Sequence, residues 1–296
     1  MKSVASILVN YHAASDTIRC VQSIAEQTRI PDCIFVVDNA ATAESRHSLE
    51  KLKNFHPGLK FFLLFNEKNH GFAAACNQAM KAIEDQGFRG YFWLVNNDTV
   101  ADQNALKELL EEAEKTNAGI TGSRIELPGN RQGGSATIHP FWGTVKRSSV
   151  FRNSPNEYIE GASFLISPEC FQKIGFFPED YFLYSEETDY CYAARRAGFS
   201  LALAEKSIIK HKAGNSTGSE LGKGKVPFFI DCLLIRNRVF LCRKYGFPKA
   251  GIFLALLFSL LLRAQRRQWK RIITILCITL SVQKFKNFIR DNGGSI

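Results

Sequence analysis

The densest acidic group of this chain has the makings of a reactive site. Glu186, Glu187 and Asp189 lie in the segment FLYSEETDYCYAARRAGF. Helical spacing over Glu186–Ala197 puts all three in a first turn, where the helix dipole favours carboxylates. Glu186 and Asp189 are three apart and share a face, while Glu187 is turned about 100° from Glu186. Such a group can be no more than a charged helix start, with Arg195 and Arg196 as solvated charges. The flanking Phe176-Phe177 and Tyr181–Tyr184 favour a walled pocket, in which a carboxylate can be tuned to accept a proton. A second group suits a cation. Asp98 ends Asn96-Asn97-Asp98, and a carboxylate there can hold a divalent ion that bridges two phosphates. One carboxylate makes a poor metal site, and His211 is the candidate for a further ligand, although a lone His is more often structural.

Two further polar positions follow apolar runs. Asp38 closes FVVDNA and can either accept hydrogen bonds from a nucleobase or ribose, or cap the next helix. Asn69-His70-Gly71 precedes an Ala-rich helical stretch. Gly71 permits close backbone approach, and the helix N-terminus offers N–H groups to an anion; the alternative is an ordinary turn. No GxGxxG is present, which weakens a dinucleotide reading.

Positioning these groups requires a sheet. Val4–Val9, Cys33–Val37, Lys60–Phe65 and Tyr91–Val95 read as strands. Asp16–Gln27, Phe72–Gln86 and Gln103–Thr116 read as helices, the first with Ser15 or Asp16 at its N-cap. This alternation predicts an α/β fold with a mostly parallel central sheet flanked by helices, and ligands at the carboxyl ends of its strands. Leu127–Thr137 reads as a surface loop and Tyr158–Ser167 as one strand. Gly198 should end the helix that carries the acids. Asn215–Lys225 has the composition of a mobile loop, and helical stretches follow from Phe228.

The chain has 296 residues, is 45% hydrophobic and carries a formal charge of +10, so a sizeable core is available. After residue 242 there are 11 basic residues and one acid, which leaves 27 of each in the first 242. A neutral body with a basic, apolar tail does not fit a nucleic-acid-binding surface and suits an anionic membrane surface across 243–290. The two apolar runs of the tail, Gly251–Leu262 and Ile272–Val282, are too short to span a bilayer. They either lie on the membrane or pack on the protein. The eight cysteines show no CxxC spacing and read as buried thiols of a reducing compartment. The opening MKSVASILVNYH is too briefly apolar for a signal peptide, so the expected location is cytoplasmic, peripheral at the inner face of the cell membrane.

Taken together, SILVNYH, VVDNA, NHGFAAACNQAM, WLVNNDT, the segment EGASFLISPECFQKIGFFPEDYFLYSEETDYCYAARRAGF, IIKHKAGNSTG and LIRNRVFLCRKYG resemble family 2 glycosyltransferases. The likeness is strongest to the rhamnosyltransferase branch of surface-polysaccharide enzymes. It implies a GT-A fold, with a catalytic domain over 1–215 (a nucleotide-sugar half to about 125 and an acceptor half beyond), a mobile loop over 216–227 and a helical region over 228–296. It implies that Asn10, Tyr11 and Asp38 hold the nucleoside and that Asn69, Gly71 and Asn77 line the donor pocket. Asn96-Asn97-Asp98 takes the place of the family's metal motif, with Asp98 and His211 as ligands. Glu186-Glu187 matches the family's acidic pair, whose second member is the general base, and Asp189 would support the acceptor. The implied reaction is inverting, single-sugar transfer from a nucleotide-diphosphate donor to a glycan or lipid-linked glycan. QRRQW, residues 265–269, lacks the Arg of the processive QxxRW motif. The rival reading is a non-catalytic nucleotide-sugar-binding or scaffold subunit of a polysaccharide assembly complex. A nucleotidyltransferase is disfavoured because NYHAASDT is not a Gly-rich basic loop.

Overall fold

The computed structural model of the chain describes residues 2–54, 56, 58–212 and 226–293. Strands β1 (Val4–Asn10), β2 (Cys33–Asn39), β3 (Lys60–Asn66) and β4 (Tyr91–Val95) alternate with helices α1 (Ala14–Ala25), α2 (Ala43–Glu50) and α3 (Phe72–Glu84). The strands pair in parallel in the order β3-β2-β1-β4. Both faces are covered, so the strands read as continuous apolar runs. On β1, Ala5, Ile7 and Val9 join the core layer that includes α3, whereas Val4 and Leu8 join the layer with α1, as the two-residue pleat requires. Helix α1 begins at Ala14 with Ala13 as an uncapped N-cap. The expected cap residue Asp16 instead pairs with Arg19 and Lys212.

Beyond β4 the chain widens the sheet. It forms β5 (Thr99–Ala101), α4 (Ala105–Thr116), β6 (Ile120–Leu127), β7 (Arg131–Gly133), β8 (Ser135–Ile138), β9 (Val145–Ser148), β10 (Glu157–Ile159) and β11 (Ser163–Ile166). Helices α5 (Pro168–Ile174) and α6 (Glu186–Arg196) and strand β12 (Leu201–His211) follow. The main sheet runs on as β4-β11-β6-β12-β5, with β11 and β5 antiparallel to their neighbours, and a small second sheet has the order β10-β8-β9.

Two sequence expectations need correction here. The region 127–137 is not a plain loop, because β7 pairs with β6 and β8 pairs with β10. These strands are three and four residues long and owe their pairing to distant partners, so no local pattern announces them. Nor is 158–167 one strand. The chain leaves the small sheet after Ile159, turns through Glu160-Gly161-Ala162 and enters the main sheet at Ser163. The acid-bearing helix ends at Arg196, with Gly198 at φ +94° just beyond it. The expected 216–227 loop lies, except for Val226 and Pro227, outside the described residues.

The tail folds into α7 (Phe228–Lys244), α8 (Lys249–Gln265), α9 (Trp269–Leu280) and α10 (Val282–Asn292). Ile230, Leu233, Ile275, Ile278, Phe285 and Phe288 form its own core, and Phe182 of the body joins them. Asp231 pairs with Arg263 and, at 2.8 Å, with Arg271, so two of the basic tail residues serve internal packing. Among the described residues no helix is long and apolar enough to cross a membrane.

Candidate active site

A cavity of about 430 Å³ opens at the carboxyl ends of the central strands. Tyr11, just after β1, lines it beside His12, with ring centroids 4.3 Å apart. Asn96, Asn97 and Asp98, just after β4, form its floor together with His211 at the end of β12. Register explains how residues so far apart in sequence meet. The β5–β12 pairing sets Thr99 opposite His211, and the Lys212 amide donates to the Asp98 carbonyl at 3.2 Å. His211 Nε2 then lies 3.0 Å from Asp98 Oδ1. Asn97 donates to Thr17 Oγ1 at 2.9 Å, which fixes the loop from the side of α1.

One corner of the cavity is built by Asn39, Asn69 and Gly71. Asn39 Nδ2 donates to Asn69 Oδ1 at 2.8 Å and to the Gly71 carbonyl at 3.1 Å, and Asn39 Oδ1 accepts from the His70 amide at 3.0 Å. Gly71 has φ +88°, and a Cβ there would lie 2.4 Å from the Phe182 carbonyl, so a side chain is excluded by both strain and space. That carbonyl accepts the first amide of α3, Phe72 N, at 2.7 Å. One of the N–H groups expected to face an anion is therefore already used. The tail reaches this corner as well, since Asn69 Nδ2 donates to the Gly293 carbonyl at 2.9 Å.

Four of the expected site residues, Asn10, Asp38, Asn77 and Asp189, do not line the cavity. Asn10 and Asp38 lie beneath it, fully buried. Asp38 accepts from Asn10 Nδ2 at 2.7 Å and from Ser45 Oγ at 2.6 Å, and Asn10 Oδ1 accepts from Thr17 at 2.8 Å. Both carboxylate oxygens of Asp38 thus serve protein groups. Asn77 is spent on the loop after α5, donating to the Phe177 carbonyl and Glu179 and accepting from the Phe177 amide.

The opposite wall carries the acids. Glu186 and Glu187 both face the cavity from the first turn of α6. Glu187 is half-buried and rests on Gly161, where an added Cβ would lie 3.4 Å from its Cγ. Burial pushes its carboxyl up, its own amide and the Thr188 amide pull it down, and the charge of Glu160 pushes it up again. Glu160 also lines the cavity, held by Arg147 at 2.6 Å and by the Gly134 amide at 2.7 Å. Asp189 turns away, because it accepts from Tyr181 at 2.6 Å, Lys244 at 2.6 Å and Tyr245 at 2.6 Å. It thereby ties α6 to the end of α7.

Sequence reasoning overlooked Asn39, Arg147, Glu160 and Arg238. Asn39 follows Asp38 at a strand end and Glu160 precedes Gly161 between two strands; both positions were within reach of the pattern. Arg147 and Arg238 reach the cavity from a short β-strand and a tail helix, and nothing local marks them.

Comparison with known proteins settles the family. The model of glycosyl transferase family 2 matches residues 6–193. The chain belongs to that family. Among its relatives is the low-salt glycan biosynthesis hexosyltransferase Agl10 of Haloferax volcanii, 26% identical over 205 residues, which span 66% of this chain and 62% of the relative. Another is the N-acetylglucosaminyl-diphospho-decaprenol L-rhamnosyltransferase of Mycobacterium tuberculosis, 24% identical over 243 residues, 72% of this chain and 77% of the relative. The chain thus spans less than two thirds of the first of these. Similar solved structures are GalNAc-T7 with UDP, GalNAc and Mn²⁺ (TM-score 0.60, 15% identity, 82% of this chain and 48% of that one) and the mannosyltransferase PcManGT from Pyrobaculum calidifontis with GDP-Man and Mn²⁺ (TM-score 0.59, 14% identity, 99% and 80%). The family 2 chain described here has the GT-A fold. The match ends near the close of α6, so β12 with His211 and the whole tail lie beyond it.

Proposed function

We propose that this protein transfers a sugar from a nucleotide-diphosphate donor to an acceptor hydroxyl, with Glu187 as the general base. The observation that carries the reading is that Glu187 and the Asp98–His211 pair line one cavity at the strand ends. A carboxylate and an imidazole side by side, both lining the cavity, would suit a divalent ion. Asp98 and His211 would hold Mg²⁺ or Mn²⁺, which supplies neutralisation of the charge on the departing nucleoside diphosphate.

The chain's own residues do the rest. Tyr11 and the Asn39–Asn69–Gly71 corner orient the nucleotide half of the donor, above the buried Asn10–Asp38 support. Glu187, set on Gly161 and raised by burial, takes the proton from the acceptor hydroxyl as that oxygen attacks the anomeric carbon. One base and one direct displacement invert the anomeric configuration. Leu234 and Leu241 of α7 with Val145 of β9 give the cavity an apolar wall. That wall and the mycobacterial relative favour a lipid-linked glycan as acceptor and rhamnose as the transferred sugar.

The tail attaches to an anionic membrane surface in the same reading. Phe253, Leu257, Phe258 and Leu261 on α8 and Trp269 and Ile273 on α9 are 40–63% exposed, and exposed Arg266, Arg267 and Lys270 join the two helices. An apolar face with a cationic rim suits the headgroup region of a bilayer. Nucleoside diphosphate release from a panel of nucleotide sugars, with Mn²⁺ and with or without lipid-linked acceptors, tests the activity. No release with any donor would overturn it.

A further inference from the structure

Glu186 stands apart from its neighbour. It opens α6 after Ser185, a residue with left-handed backbone (φ +77°) and no side-chain cap. It is only 4% exposed, yet it lines the cavity, and its Oε2 has no hydrogen-bond partner. Among the described residues no Lys, Arg or His forms an ion pair with it. The titratable groups that face it are Glu187 on its own helix and Cys76 on α3. Neither favours a negative charge there, and Glu187 opposes one. Only its own backbone amide favours the ion.

We propose that Glu186 works uncharged, its buried Oε2 carrying a proton and donating a hydrogen bond to a hydroxyl or ring oxygen of a sugar bound in the cavity. The inference rests on the reading of the cavity as a sugar-transfer site. A carboxylate can only accept hydrogen bonds, whereas a protonated carboxyl also donates. This oxygen is shielded and has no protein partner, while the residue that carries it lines the cavity, so a bound sugar is the partner within its reach. Burial first, and then the charge of Glu187, push the Glu186 carboxyl far above its ordinary range, which agrees with the geometry. The two adjacent acids divide the work: Glu187, partly exposed, is the one that ionises and takes the acceptor proton, and the buried Glu186 stays neutral beside it.

The test uses the full chain with Mn²⁺ and the donor it turns over, and compares E186Q with E186A. A glutamine has the same shape, no charge and an N–H to donate. E186Q should keep kcat/KM within about threefold of the parent, whereas E186A should lose about 10–100-fold, the range for an unmade hydrogen bond in a buried site. KM measured separately for donor and acceptor assigns the sugar that is contacted. Infrared difference spectroscopy at neutral pH should reveal a protonated-carboxyl stretch that is lost in E186Q. If E186Q is as inactive as E187A, or if the parent lacks that stretch, Glu186 is a charged residue and the inference falls. If instead E187A keeps full turnover, the proposed function fails, and the infrared result still decides the charge of Glu186.

Discussion

His211 Nε2 lies 3.0 Å from Asp98 Oδ1, although more than a hundred residues of chain separate them. The proposed role of this pair as cation ligands gives a specific expectation. Asp98→Ala and His211→Ala should each weaken Mn²⁺-dependent binding of the nucleoside diphosphate by an order of magnitude or more, with little effect on melting temperature without metal. Calorimetric titration with and without Mn²⁺ checks this. Equal losses in both conditions would mean that the pair is structural.

Glu187→Ala should lower kcat by about 10²–10⁴-fold, the usual worth of a general base, and leave donor affinity intact. The base must be ionised to act, and its carboxyl is raised by burial. Activity should therefore climb with pH through a value above the ordinary 4.5. A pH–rate profile that is flat through that range would exclude Glu187 as the base.

Glu186 gives a stability signature of opposite sense. Its folded-state carboxyl binds a proton more tightly than the unfolded one, with burial as the main cause. Between its ordinary value of 4.5 and the raised one, the native state holds more protons than the unfolded state, so stability falls as pH rises. E186Q removes this loss. Its stability relative to the parent should be near zero or negative at pH 4 and should grow steadily towards neutral pH, as read by urea melts at several pH values.

Asp189 should behave as a structural residue. It is 2% exposed and accepts from Tyr181, Lys244 and Tyr245. Lys244 is exposed enough that its ion pair adds little, but losing the carboxylate leaves the buried Tyr181 hydroxyl without its acceptor, which costs about 1–3 kcal/mol. Asp189→Ala should lower stability on that scale, whereas Lys244→Met, which leaves the two tyrosines in place, should cost less. A variant with parent-like stability and lost turnover would return Asp189 to the reaction.

The membrane reading is checked on the full chain, because α7 lines the cavity and Gly293 bonds to Asn69, so shortening the tail would disturb the site itself. Replacing Leu257, Phe258 and Leu261 together by Ser should reduce co-sedimentation with phosphatidylglycerol vesicles several-fold. Turnover on a soluble acceptor should stay unchanged. Binding that resists both these changes and high salt would point away from a lipid surface.

Much of the fold was legible because the first hundred residues obey local rules. Their strands are apolar runs, their helices have a 3.6-residue period, and their polar residues fall where the runs stop. The acidic pair and Asp98 could be located on that basis alone. Other roles depend on tertiary partners. Asp189 lies within a helix turn of Glu186, yet Lys244 and Tyr245 draw it to α7. Asp38 sits at the strand end that ligand sites favour, but Asn10 and Ser45 take both its oxygens. Arg238 reads as one more helical cation until Gly143 and Ser259 are brought beside it. Periodicity identifies elements, and only packing decides which side of an element meets the cavity.

The pairing of β5 with β12 has a consequence for how the protein comes into being. Side chains alternate across a strand, so a slip of one residue would turn His211 to the far side of the sheet. In the neighbouring β12–β6 pairing the register shifts between Ala204 and Ile208, upstream of the residues of β12 that pair with β5. Closing a contact between such distant segments belongs to the slow, non-local part of folding. A chain with its first four strands formed and β12 unpaired would hold Asp98 without His211, half of the proposed cation pair. In the proposed mechanism, competence to react and completion of the fold thus become one event.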